Sequence, residues 1–94
     1  MIRVYLGPRL IRSARRLGAS ERSEVEAALA SAARSFGNPR AHSGLGLRKF
    51  SHALWECRVG SEWRIVFIQE ADGLRAFDLM SHDEIRKWLR SHPV

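Results

Sequence analysis

Leu54–Arg64 reads LWECRVGSEWR, and the fold turns on how this stretch is read. Alternation puts Leu54, Glu56 and Arg58 on one face and Trp55, Cys57 and Val59 on the other, the period of a β-strand. The Trp55 face wants a core, whereas the other carries an acid and an arginine. A turn at Val59–Gly60–Ser61 leads into a second strand. That strand, WRIVFI from Trp63 to Ile68, is apolar at nearly every position, which suits a central strand covered on both faces. Arg64 breaks the run. A guanidinium on a central strand needs a partner, either a carboxylate such as Asp78 or an anion arriving from outside.

Downstream of this hairpin, Ala71–Asp72–Gly73 signals a turn and Leu74–Met80 the next strand. Ser81–His82–Asp83–Glu84 fits a capping box, with Ser81 as N-cap and Glu84 three residues on. Ile85, Trp88 and Leu89 form the apolar stripe of a short last helix. Upstream, Ile2–Leu6 reads as a short strand and Gly7–Pro8 turns the chain into a helix that runs to about Leu17. Arg9, Arg12, Arg15 and Arg16 cover much of its surface. Ser20 is expected to cap a second helix with Val25, Ala28, Leu29, Ala32, Ala33 and Phe36 on one stripe. Gly37–Asn38–Pro39 stops it. Residues 38–53 read as a loop with one short strand near Leu47–Phe50, and they carry His42, Arg48, Lys49 and His52. Gly44–Leu45–Gly46 is loop punctuation, too short for a phosphate-cradling glycine loop. The layout is α+β: an antiparallel or mixed sheet of about four strands, a helical hairpin on one face and a short C-terminal helix.

Ninety-four residues make a single domain, 1–94, with 45% apolar and 28% charged residues, as in a soluble globular protein. No apolar run approaches a membrane span, and no signal peptide is read. One cysteine excludes an internal disulfide, and no zinc-ligand or cofactor motif appears, so neither metal nor cofactor is expected. The expected compartment is the cytoplasm. The net charge is +6, and it is uneven. Residues 1–50 hold ten basic and three acidic residues, and residues 51–94 hold six and seven. Arginines outnumber lysines fourteen to two. Their forks suit phosphate, so a nucleic-acid partner fits the charge, as does a solvated helix face.

The order strand, basic helical hairpin, glycine-containing connector, LWECRVGSEWRIVF and LRAFDLMSHDEIRKWL resembles the RelE/ParE toxin superfamily over essentially the whole chain. Its most specific part is the hairpin with Trp55, Arg58 and Arg64, followed by a polar cluster after the last strand. The resemblance implies a RelE/YoeB-like fold and the toxin of a type II toxin–antitoxin system. It implies a metal-independent mRNA endoribonuclease acting at the ribosome, with an acidic antitoxin as cognate partner. A ParE-like poison of DNA gyrase and a catalytically silent RelE-fold binding protein remain alternatives, and the oligomeric state is open. In the RNA-cleaving branch the hairpin arginine stabilises the scissile phosphate, and a histidine after the last strand is catalytic in some members. Arg64 and His82 match those positions in order and separation. The chain departs from that branch elsewhere. Leu54 and Glu56 stand where lysines are usual, Gly44–Leu45–Gly46 where some members carry a glutamate, and no tyrosine follows the last strand.

RNA cleavage without a metal needs a base for the 2′-hydroxyl, a cation for the charge on phosphorus and an acid for the leaving 5′-oxygen. Arg64, backed by Arg58, suits the cation. His82, in the first turn of the last helix, suits proton transfer. Glu56 is a candidate base, although a strand carboxylate beside arginines reads first as one half of a cross-strand ion pair. Arg12, Arg15, Arg16, Arg48 and Lys49 are candidate RNA contacts. Trp63 can stack a base at the mouth of the site or pack the sheet, and Trp55 and Trp88 are read as packing.

Overall fold

The computed structural model describes residues 2–36 and 47–91. In chain order the elements are β1 (Arg3–Leu6), α1 (Pro8–Arg15), α2 (Ala19–Ser35), β2 (Arg48–Lys49), β3 (Leu54–Val59), β4 (Trp63–Glu70), β5 (Gly73–Ser81) and α3 (His82–Ser91). The strands form one sheet in the order β1-β5-β4-β3-β2. All neighbours are antiparallel except β1, which runs parallel to β5. The sheet is therefore mixed and has five strands against an expected total of about four, and the short strand expected near Leu47–Phe50 forms as the two-residue β2 at its edge.

β4 lies in the middle of the sheet, and its continuous apolar run is buried on both sides. On one side, Ile65 and Phe67 join Cys57 and Val59 of β3, Leu74, Ala76 and Leu79 of β5, and Leu10, Val25 and Ala32 of the helices. Alanines on the α2 stripe bring that helix close to the sheet; Ala32 is fully buried. On the other side, Val66 and Met80 meet Ile85 of α3, with Phe50, Phe77, Trp88 and Leu89 around them. That smaller core covers only part of its face.

Local chemistry sets the element ends. Pro8 opens α1 after an extended Gly7. The capping box at α3 forms in both directions: the Ser81 N–H donates to Glu84 Oε1 at 3.0 Å, and the Glu84 N–H to Ser81 Oγ at 3.2 Å. The cap of α2 differs from expectation. Gly18, not Ser20, is its N-cap, because the Gly18 carbonyl already accepts from the Arg22 N–H at 3.0 Å. The expected stop at Gly37–Asn38–Pro39 and the loop with His42 and Gly44–Leu45–Gly46 lie outside the described residues. The β3–β4 loop turns at Gly60, whose φ of 62° is the left-handed conformation that glycine adopts without strain. Between β4 and β5 the register slips: Val66 stands opposite Asp78 and Phe67 opposite Ala76, leaving Phe77 as the extra residue of a β-bulge.

Candidate active site

On the sheet face away from the α1–α2 hairpin, Arg58 and Arg64 stand opposite each other across β3 and β4, and Glu56 stands opposite Arg48 of β2. Glu56 is buried, its side chain only 7% exposed. Its Oε1 meets Arg48 Nη2 at 2.9 Å. Its Oε2 faces Arg64 Nε at 3.9 Å, too far for a hydrogen bond, and has no hydrogen-bond partner. Arg64 Nη1 contacts His82 Nδ1. A guanidinium can only donate, so Nδ1 accepts, and the ring proton of a neutral His82 sits on Nε2. The capping box fixes His82 at the start of α3 and so brings it over β4.

The result is a chain of contacts from Arg48 through Glu56 and Arg64 to His82. Arg58 is exposed beside it and has no carboxylate partner among the described residues. Arg48 is mostly open to solvent and lies over the Phe50 ring at 5.7 Å. One buried negative charge thus faces two arginines with Arg58 beside them, leaving the patch positive. Glu56 is already engaged by two of them, which suits orienting Arg64 better than accepting a proton.

The other candidate residues lie apart. Lys49 pairs with Trp55, not Glu56, and its ammonium lies 5.6 Å from that ring on the helix side of the sheet. Trp63 also packs toward the helices, donating its indole N–H to Glu21 Oε2 at 3.1 Å. Arg12, Arg15 and Arg16 are exposed on and just after α1, which packs against the helix-side core. Asp78 is not the partner of Arg64. The bulge turns it toward α1, where its carboxylate takes Ser13 Oγ and the Leu79 N–H, each at 2.8 Å, and Arg9 Nε at 3.3 Å. Arg48 as the first partner of Glu56 follows from the register of β2, a strand of two residues in a segment with little pattern to read.

Cys57 lies on the packed face, and burial, then the neighbouring Glu56 charge, push its thiol above the ordinary value. Among the described residues, no group of three or more His, Cys, Asp or Glu side chains is placed to hold a metal ion. No described helix is long and apolar enough to cross a membrane.

No family model matches the sequence, and no curated protein matches it. Among solved structures, the chain is similar to one in the crystal structure of the RelB–RelE antitoxin–toxin complex from Methanococcus jannaschii. The TM-score is 0.67 over 89% of this chain and 96% of that one, at 14% sequence identity. The fold is RelE-like. At that identity the likeness is one of fold, so the roles of Arg64 and His82 rest on their own geometry.

Proposed function

We propose that this chain is the toxin of a toxin–antitoxin pair and cleaves mRNA at the ribosome without a metal. The observation that carries the reading is the Arg64–His82 contact, a fixed cation beside an imidazole on an open, positive sheet face. The RelE-like fold, shared with a chain solved in an antitoxin–toxin complex, supports the paired partner.

A phosphate reaching this face meets Arg64 and the exposed Arg58. If it draws Arg64 Nη1 away, the Nδ1 lone pair of His82 is released. His82 then takes the proton of the 2′-hydroxyl as that oxygen attacks phosphorus. The bond to the 5′-oxygen breaks, the leaving oxygen takes a proton from water, and His82 returns its proton to the hydroxide so formed. The products are a 2′,3′-cyclic phosphate and a 5′-hydroxyl. Arg64 stabilises the charge on the phosphoryl oxygens, and removing such a group typically costs about 10²–10³ in rate. Glu56 holds the guanidinium in register.

Induced expression followed by mapping of mRNA 5′ ends tests the reading. The parent chain should create new ends within open reading frames. His82→Gln keeps the helix start but cannot move a proton near neutrality, and should lower cleavage by about 10²-fold or more. New ends equally frequent in His82→Gln would remove His82 from the mechanism, and no new ends from the parent would remove the nuclease assignment. A binding domain without cleavage would then take its place. Glu56 favours that second reading, because it already offsets part of the charge that a phosphate would meet.

A further inference from the structure

We infer that Arg48 is a positioning residue: by holding the Glu56 carboxylate toward the sheet edge, it leaves Arg64 to His82 and to an incoming phosphate. The inference rests on the proposed role of Arg64, but its geometry can be read without cleavage.

Glu56 stands on β3, between Arg48 on β2 and Arg64 on β4, so the two arginines compete for one buried carboxylate from opposite sides. Arg48 holds the nearer oxygen. Its Nη2 lies 2.9 Å from Oε1, a charge-assisted hydrogen bond. Arg64 Nε stands 3.9 Å from Oε2, about 1 Å beyond such a bond. Oε2 is out of water and has no hydrogen-bond partner, so its pull on Arg64 is unanswered. Among the described residues Arg48 is the one cation within hydrogen-bond distance of Glu56. The Phe50 ring, on the strand's outer end, lies beneath its guanidinium and steadies it.

The competition matters because Arg64 has its donors divided. Nη1 goes to His82, and Nε points toward Glu56 without bonding to it. With Arg48 gone, Glu56 keeps its charge and has one cation left to satisfy it. Oε2 then closes on Nε and draws the guanidinium toward β3, away from His82. A misplacement of about 1 Å can cost about 10²-fold in rate. Exposure separates the duties of the two arginines. The Arg48 side chain is 67% exposed and that of Arg64 18%. Water screens the first charge, which suits a counter-ion, and leaves the second strong, which suits the cation that meets phosphorus. An acid on a face built to receive phosphate is a liability unless a second cation occupies it, and Arg48 does so from outside the site.

A double-mutant cycle on Arg48 and Glu56 tests this, read by mapping of mRNA 5′ ends and by nitrogen NMR of the His82 ring in the isolated chain. Arg48→Gln should lower cleavage by about tenfold or more. Glu56→Gln removes the charge that pulls on Arg64. The double variant should therefore cleave faster than Arg48→Gln alone and no slower than Glu56→Gln alone. Neither chain with Glu56→Gln strands a buried carboxylate, so that comparison stands even if Arg48→Gln folds poorly. Arg48→Lys keeps the counter-charge and should cleave more like the parent than like Arg48→Gln. In the NMR arm, His82 Nδ1 should show the signature of a hydrogen-bond acceptor in the parent, lose it in Arg48→Gln and regain it in the double variant. A parent that makes no new mRNA ends fails as a nuclease, and the NMR cycle still decides the duty of Arg48. Three results overturn the inference. One is a double variant that cleaves about tenfold more slowly than Glu56→Gln, which makes Arg48 an RNA contact in its own right. The second is a folded Arg48→Gln chain as active as an active parent, and the third is a His82 signal that Arg48→Gln leaves unchanged.

Discussion

At the scale of single residues, the cluster is governed by Glu56, a carboxylate held almost out of water between two arginines. Arg64 therefore has a structural duty besides any chemical one. Arg64→Ala leaves Oε2 of Glu56 facing nothing, and should cost about 3 kcal/mol in urea denaturation. Arg64→Lys keeps a cation near Glu56 but loses the planar fork, so it should cost under about 1 kcal/mol while cleavage falls steeply. Equal destabilisation by the two variants would mean that the fork itself is structural, and that loss of activity reports only loss of fold. Cys57 gives a second prediction at this scale. Its thiol is raised by burial, so the folded state favours the protonated form more than the unfolded state does. That contribution to stability is present below the ordinary thiol pKa and fades as pH rises through the raised folded value. At about pH 8 the native chain should react slowly with a disulfide reagent and quickly once urea is added. Fast reaction without urea would contradict the buried placement.

At the scale of elements, α3 carries His82 and is anchored by the reciprocal Ser81–Glu84 bonds. Ser81→Ala removes one of them and should lower stability by about 1 kcal/mol. Cleavage should fall less than in His82→Gln, because the imidazole is loosened rather than lost. A larger loss in Ser81→Ala than in His82→Gln would mean that α3 matters through its packing on Val66 and Met80. Elements that carry their own signal were legible in the sequence: the alternation of β3, the apolar run of β4 and the capping box each fix local structure within a few residues. The shared face of Glu56, Arg58 and Arg64 followed from alternation alone. Non-local geometry was not legible. The bulge at Phe77 hands Asp78 to Arg9 and Ser13, and nothing in LRAFDLM marks where the register slips. Lys49 and Arg48 go to opposite faces because of how two residues of β2 pair with β3. Gly18 displaced Ser20 as the cap of α2 because its backbone carbonyl sufficed.

At the scale of the whole molecule, positive charge stands on two sides of one sheet. One side holds Arg48, Arg58 and Arg64; the other holds the exposed arginines of the α1 region, beside the apolar groove between α1 and α2. Arg48 and the α1 arginines were candidate RNA contacts in the sequence and Arg58 and Arg64 candidate catalytic cations, and salt dependence separates the two sides. Each phosphate contact on single-stranded RNA contributes about 0.7 to the slope of log affinity against log salt. Arg58 is exposed and has no carboxylate partner among the described residues, so Arg58→Gln should reduce that slope by roughly one such contact at unchanged stability. Joint replacement of Arg12, Arg15 and Arg16 by glutamine should leave the slope for RNA unchanged. RNA cannot lie along the Arg64 face and the α1–α2 groove together without wrapping the sheet edge. A slope that falls in the triple variant would show that it does wrap. A slope that changes in neither variant would place the RNA elsewhere on the chain, and the Arg64 face would then have to be read as a binding surface for something other than phosphate.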